Sequence, residues 1–136
     1  MKPRDEISPD PGGGLPEALG IELLDAEGDV ARGRIAVTER TLQPYGIVHG
    51  GTFAALAETV ASAATHMHVA PDGMLAIGQS NHTTFLRPVT GGRIEARATT
   101  RHRGRTTWVW DVDMSDADGR ICAISRVVVA VREPRG

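Results

Sequence analysis

One carboxylate is isolated on a run of helix formers. Six alanines fall between Ala54 and Ala64, and Glu58 is the only Asp, Glu, Lys or Arg from Gly50 to Met67. At 100° per residue, Phe53, Leu56, Val60, Ala64 and Met67 form one apolar stripe. Glu58 falls roughly opposite, beside Gly51, Ala54, Ala55, Ala61, Ser62 and Thr65. A solvated helix face normally mixes charges, whereas a helix that is small or apolar all round is buried. A carboxylate on such a helix is desolvated unless a partner or a purpose offsets the cost. An ordinary solvated glutamate remains the alternative, and the lack of any other charge favours a functional one. Upstream, Gln43-Pro44-Tyr45-Gly46-Ile47-Val48-His49-Gly50-Gly51 puts glycines where the helix begins. Free N–H groups and the positive dipole end there can stabilise an oxyanion, and glycine lets a ligand approach the backbone. The same glycines would also suit a plain helix-start turn.

Spacing constrains how these features could cooperate. Gly50 and Glu58 are eight residues apart, about 12 Å along a helix. A carboxylate and an N–H acting on one carbonyl must both lie within roughly 3–3.5 Å of it. One straight helix places them poorly, whereas two antiparallel copies bring Glu58 of one near Gly50 of the other. A site shared across a two-fold interface is therefore expected. Other candidates are weaker. His66 and His68 are not the i, i+4 pair that would ligate a metal from one helix face, so no metal is expected. Ser80 and Ser125 lack a nucleophile elbow. Trp108 and Trp110 follow strand spacing and read as core, and Cys122 as a buried small hydrophobe.

The elements that must position these groups follow from periodicity. Ile21–Leu24 and Val30–Val37 flank Glu27-Gly28-Asp29, which predicts a hairpin. After the helix and the turn at Pro71-Asp72-Gly73, the period changes to two. Leu75–Arg87 reads as one extended stretch. Ile94, Ala96, Ala98 and Thr100 alternate with polar residues, as do Trp108, Trp110, Val112 and Met114. The turn Asp116–Gly119 leads into Ile121–Val131. The order β-β-α-β-β-β-β, a helix followed by a meander, predicts an α+β fold with one long helix against an antiparallel sheet. Residues 1–16 hold four of the eight prolines and Gly12-Gly13-Gly14, so they are expected to be mostly disordered, leaving 17–136 as one domain.

Composition narrows the function further. A chain of 136 residues with a formal charge of −2 lacks the basic excess of a nucleic-acid binder. No apolar run approaches the ~18–20 residues of a membrane span. The first residues lack the apolar stretch of a signal peptide, and the lone Cys122 suits a reducing compartment, so a cytoplasmic protein is expected. Of 15 basic residues only Lys2 is lysine; genome composition accounts for such a bias, and arginine also suits phosphate.

The residues His49-Gly50-Gly51 with Glu58 resemble the hotdog-fold acyl-CoA thioesterases, closest to the 4-hydroxybenzoyl-CoA thioesterases that use a helical glutamate. Gly78-Gln79-Ser80-Asn81-His82-Thr83, Phe85-Leu86-Arg87-Pro88-Val89, Thr106-Thr107-Trp108 and Asp118-Gly119-Arg120 extend the resemblance over about residues 40–132. It implies a long central helix wrapped by a curved antiparallel sheet, with active sites at dimer interfaces and a tetramer of two dimers. Glu58 matches the catalytic carboxylate, as nucleophile or as general base. Gly50 matches the N–H that polarises the thioester carbonyl, and Gln43 a residue that orients the thioester. His49 matches the histidine supporting the oxyanion loop, and Ser62 stands where the subgroup has a threonine that holds water. For the CoA phosphates the resemblance implies Arg87, Thr106 and Arg135. Arg105, where the subgroup has serine, either adds a phosphate contact or sits in solvent. Tyr45 stands in place of a tryptophan, and His82 is either structural or lines the ring pocket. The implied reaction needs no cofactor, coenzyme A being part of the substrate. A hydroxyacyl dehydratase on the same fold and a non-catalytic acyl-CoA sensor are the rivals.

Overall fold

The computed structural model describes residues 13–135. It contains α1 (Gly14–Leu19), β1 (Glu22–Glu27), β2 (Val30–Ala36), α2 (Gly50–Val69), β3 (Leu75–Phe85), β4 (Arg93–Arg103), β5 (Thr107–Ser115) and β6 (Ile121–Arg132). The long helix and the six strands are the α+β arrangement expected, with the hairpin turn at Gly28–Asp29. The helix α1 is an addition. Of the segment expected to be disordered, residues 1–12 lie outside the described residues, while Gly14, Leu15 and Pro16 open α1. Gly20 ends α1 in the left-handed region at φ 81°. The Gly20 and Ile21 N–H groups close the last turn on the Glu17 and Pro16 carbonyls. Leu19 and Ile21 then pack against the core, offsetting the weak helix propensity of so short a segment.

The sheet is antiparallel throughout and its spatial order is β1-β2-β4-β5-β6-β3. The meander is therefore β4-β5-β6. The strand β3, first after the helix, joins the far side of β6 as an edge. Residues 86–92 carry the chain across the end of the sheet. The Leu86 and Arg87 N–H groups bond the Cys122 carbonyl, and the Val89 carbonyl accepts from Val48 N–H at 2.8 Å.

The core lies between α2 and the inner face of the sheet, and α2 packs against every strand. Phe53, Leu56, Val60 and Ala64 are buried as the wheel requires, opposite Ile94, Ala96, Ala98, Trp110, Val112, Met114, Val127 and Val129. Trp108 and Trp110 are core residues; the indole N–H of Trp110 donates to Thr65 Oγ1 at 2.8 Å. At Gly33 helix and sheet pack so tightly that a Cβ would lie 2.4 Å from Val60 Cγ2. The face opposite the stripe divides in two. Ala61 and Thr65 are wholly buried, whereas Gly51 and Glu58 are exposed, with Ala54, Ala55 and Ser62 partly so.

Candidate active site

The approach to α2 is a tight loop closed by an isolated bridge between Leu42 and Val48. Gln43 N–H bonds the Ile47 carbonyl at 2.8 Å, and Gly46 turns the chain at φ 85°. His49 is the N-cap residue of α2, with extended backbone. Its Nδ1 accepts the Gly51 N–H at 2.7 Å, which puts the imidazole proton of the neutral ring on Nε2. His49 is thus tied to the loop it was expected to support. The neighbouring Gly50 N–H has no hydrogen-bond partner among the described residues. It lies at the positive end of a 20-residue helix, where a developing negative charge is stabilised.

Gly50 opens onto a groove of about 340 Å³ lined by Gln43, Ile47, Val48, Phe53, Phe85, Leu86, Arg87 and Pro88. The sequence did not single out Phe85 beyond its place in the motif. Its ring lies against Gly50, where a Cβ would stand 2.7 Å from Cζ, and it packs on Phe53 with centroids 5.9 Å apart. A side chain at position 50 would collide with it, so the glycine answers to space rather than to dihedral freedom. The Gln43 side chain folds back through Oε1 onto the Tyr45 N–H, while Tyr45 itself is 90% exposed.

Three of the expected residues therefore meet in one chain: Gln43, Gly50 and Arg87. Glu58 does not join them. It sits two turns along α2, is exposed in the single chain, and packs beside Gly78 of β3. The desolvation expected for it is thus not a property of one chain. Ser62, one turn further, has a buried Oγ with no hydrogen-bond partner among the described residues. The phosphate candidates also divide. Arg87 follows β3 at the Phe85 end, whereas Arg105 and Thr106 precede β5, whose Thr107 shares a register row with Ala130 and Ile77. Arg135 follows the end of β6 on that same side, where Arg132 pairs with Leu75. Eight residues of strand between Ile77 and Phe85 correspond to roughly 26 Å, so one chain cannot close Arg87 and Arg105 on one phosphate group. Arg105 and Thr106 are exposed, and the Thr106 carbonyl accepts from Arg132 at 3.0 Å.

The extended stretch read from Leu75 onward is β3, but which of its residues face the helix was hidden from periodicity by a bulge between Gly78 and Ser80. It turns Asn81 and Thr83 toward the helix side and leaves His82 exposed on the outer face with Ser80 and Thr84.

The sequence and the fold as a whole also resemble those of known proteins. The sequence profile described as Thioesterase superfamily matches residues 45–123. A 1,4-dihydroxy-2-naphthoyl-CoA hydrolase from Listeria monocytogenes is 34% identical over 122 residues, covering 90% of this chain and 98% of the relative. A proofreading thioesterase from Cronobacter turicensis is 36% identical over 119 residues, 88% of this chain and 86% of its own length. The crystal structure of a thioesterase from Haemophilus influenzae superposes with a TM-score of 0.81 at 35% identity, over 87% of this chain and 82% of that one.

Proposed function

The chain belongs to the thioesterase superfamily and has its hotdog fold, and from that premise we propose that it hydrolyses an aromatic, 4-hydroxybenzoyl-type acyl-CoA to the free acid and CoA at a site completed by two copies of the chain. Its class is hydrolase, of the thioesterase or esterase kind. The observation that carries the finer reading is the apolar groove joining the unpartnered Gly50 N–H to Gln43 and Arg87, with Glu58 the one charge on the open face of α2. Small residues around Glu58 (Ala54, Ala55, Ser62) leave room for a flat ring. A relative whose name states a naphthoyl-CoA substrate supports an aromatic acyl group.

In the proposed reaction the thioester oxygen accepts from the Gly50 N–H, which offsets the charge that develops on it. Gln43 leaves the Tyr45 N–H to orient the thioester, and His49 holds the loop. Glu58 comes from the second copy, because eight residues of helix separate it from Gly50 within one chain. It either attacks the carbonyl carbon, forming a mixed anhydride that water opens, or takes the proton of a water held by Ser62. In both routes the C–S bond breaks, the thiolate leaves and is protonated, and water supplies the new oxygen. No atom changes its oxidation state, so the reaction calls for no redox cofactor. Arg87 of one copy and Arg105, Thr106 and Arg135 of the other meet the nucleotide phosphates, as their separation within one chain requires. The free edge of β3 and the open face of α2 form the two-fold contact, and two such dimers form a tetramer.

The test is thiol release from 4-hydroxybenzoyl-CoA, a dihydroxynaphthoyl-CoA and a series of aliphatic acyl-CoAs, repeated with Glu58→Gln. Loss of at least ~10³-fold in kcat is expected on the aromatic substrates. Undiminished turnover in the variant would remove Glu58 from the mechanism. Tight binding without hydrolysis would identify a sensor. In a single turnover in labelled water, label found in Glu58 identifies an anhydride opened at the Glu58 carboxyl carbon, whereas the general-base route labels the acid alone.

A further inference from the structure

The bulge in β3 has a consequence for Glu58. Ala76 and Gly78 point toward α2, and unbroken alternation would next bring Ser80, His82 and Thr84 to that side. The extra residue, Gln79, shifts the register so that Asn81, Thr83 and Phe85 face inward instead. Asn81 Nδ2 then donates to the Ala54 carbonyl at 2.9 Å. In the α-helical ladder that carbonyl accepts the N–H of Glu58, four residues on. Asn81 therefore grips the carbonyl to which the Glu58 N–H is itself bonded.

The grip is itself held. Thr83 Oγ1 donates to Asn81 Oδ1 at 2.6 Å, and Ser125 Oγ of β6 lies 2.8 Å from Thr83 Oγ1 and 3.4 Å from Asn81 Oδ1. This chain fixes which end of the Asn81 amide is the donor. Three residues before Asn81 on β3, Gly78 gives Glu58 its berth: a Cβ there would stand 3.1 Å from Cδ and 3.2 Å from Oε2 of the carboxylate. Gly78 has no positive φ, so the space, not the backbone, calls for glycine.

We propose that Asn81, locked by Thr83 and Ser125, is a positioning residue that sets the Glu58 carboxylate for attack on the acyl group, with Gly78 keeping the space into which it is set. The inference rests on the thioesterase reading for its catalytic consequence but not for its geometry. A carboxylate displaced by about 1 Å loses on the order of 10²-fold in rate while substrate binding, made elsewhere, persists.

The experiment compares the full-length wild type with Asn81→Ala, Thr83→Val and a Gly91→Ala control, Gly91 having open space around it. Steady-state kinetics on the best acyl-CoA substrate is paired with amide hydrogen exchange resolved at Glu58. Asn81→Ala is expected to lower kcat by at least ~10-fold with KM within about 2-fold. Exchange at the Glu58 amide should accelerate more than at the other inner amides of α2. Thr83→Val should move both readouts the same way by less, and Gly91→Ala neither. A kcat within about 2-fold of wild type in Asn81→Ala, or unchanged exchange at Glu58, overturns the proposal. If Asn81→Ala does not fold, unchanged kcat and exchange in Thr83→Val overturn it. If the wild type hydrolyses no acyl-CoA, the thioesterase reading fails, and the exchange at Glu58 alone decides whether Asn81 holds that turn.

Discussion

Substituting Gly50 by alanine tests whether the ring of Phe85, rather than the backbone, reserves that position for glycine. The added Cβ would stand 2.7, 3.0 and 3.1 Å from Cζ, Cε2 and Cε1 of Phe85. Carbon atoms in ordinary contact are about 3.5–4.0 Å apart, so the ring must retreat by about 1 Å. Phe85 is 56% exposed and its ring is the far end of a rotatable side chain, so the fold absorbs the movement. Overpacking in a rigid core costs about 1–3 kcal/mol, and here less than about 1 kcal/mol is expected. Activity is more sensitive, because the displaced ring is a wall of the groove at the Gly50 N–H. A misplacement of this size lowers kcat/KM by on the order of 10²-fold. The assay is a double-mutant cycle with Phe85→Ala, measured by thiol release and by urea unfolding. Phe85→Ala alone loses the contact with Phe53 and lowers activity modestly. With the ring gone, Gly50→Ala should cost less than about 3-fold, since its collision partner is absent. An equal penalty from Gly50→Ala in both backgrounds would refute the steric argument.

Three further outcomes follow from the structure. Thr65→Val leaves the buried indole N–H of Trp110 without its acceptor at 2.8 Å, which should destabilise by about 1–3 kcal/mol in urea unfolding. Gly33→Ala should be more severe, because Val60 Cγ2 at 2.4 Å and the Glu22 carbonyl at 2.9 Å leave no direction for relief; a loss of roughly 3 kcal/mol or more, read as a lower denaturation midpoint, is expected. Asp116 sits in the β5–β6 turn, where the Arg120 backbone N–H above all, then the Asp118 N–H and the Arg120 guanidinium, hold its carboxyl below the usual range despite desolvation. A lowered folded-state pKa stabilises above the unfolded value and is lost as pH falls through the folded one. Asp116→Asn should therefore trail the wild type at pH 7, and the gap in unfolding midpoint should close on acidification below the ordinary aspartate range; a gap independent of pH would contradict the assignment.

Much of the fold was legible because it rests on local spacing. The stripe Phe53–Leu56–Val60–Ala64 and the alternation through β4 and β5 are one-dimensional signals of burial, and the structure buries those residues. The charge deficit around Glu58 was legible for the same reason. The loop before α2 was readable down to His49, whose capping bond to Gly51 spans two residues. The short helix α1 was not, since Pro16 and the glycines mask a turn that forms only when Leu19 and Ile21 find the core. The strand β3 was legible as an extended stretch, but its facing was not, because a single extra residue at Gln79 exchanges the faces of everything after it.

By itself, then, the sequence determined the long helix, its lone carboxylate, the glycines at its start and the separation of about 12 Å between Gly50 and Glu58 that no straight helix can close. Tertiary structure decided which residues meet. Strand order places β3 at the edge beside β6, which brings Phe85 and Arg87 to Gly50 and sends Arg105, Thr106 and Arg135 to the opposite end. The bulge chooses Asn81 over His82 to hold the helix. The reason is that helix and strand periods are properties of neighbouring residues. Sheet order and register are instead chosen by contacts between residues far apart in the chain, whose cost and reward appear only when the whole sheet closes on α2.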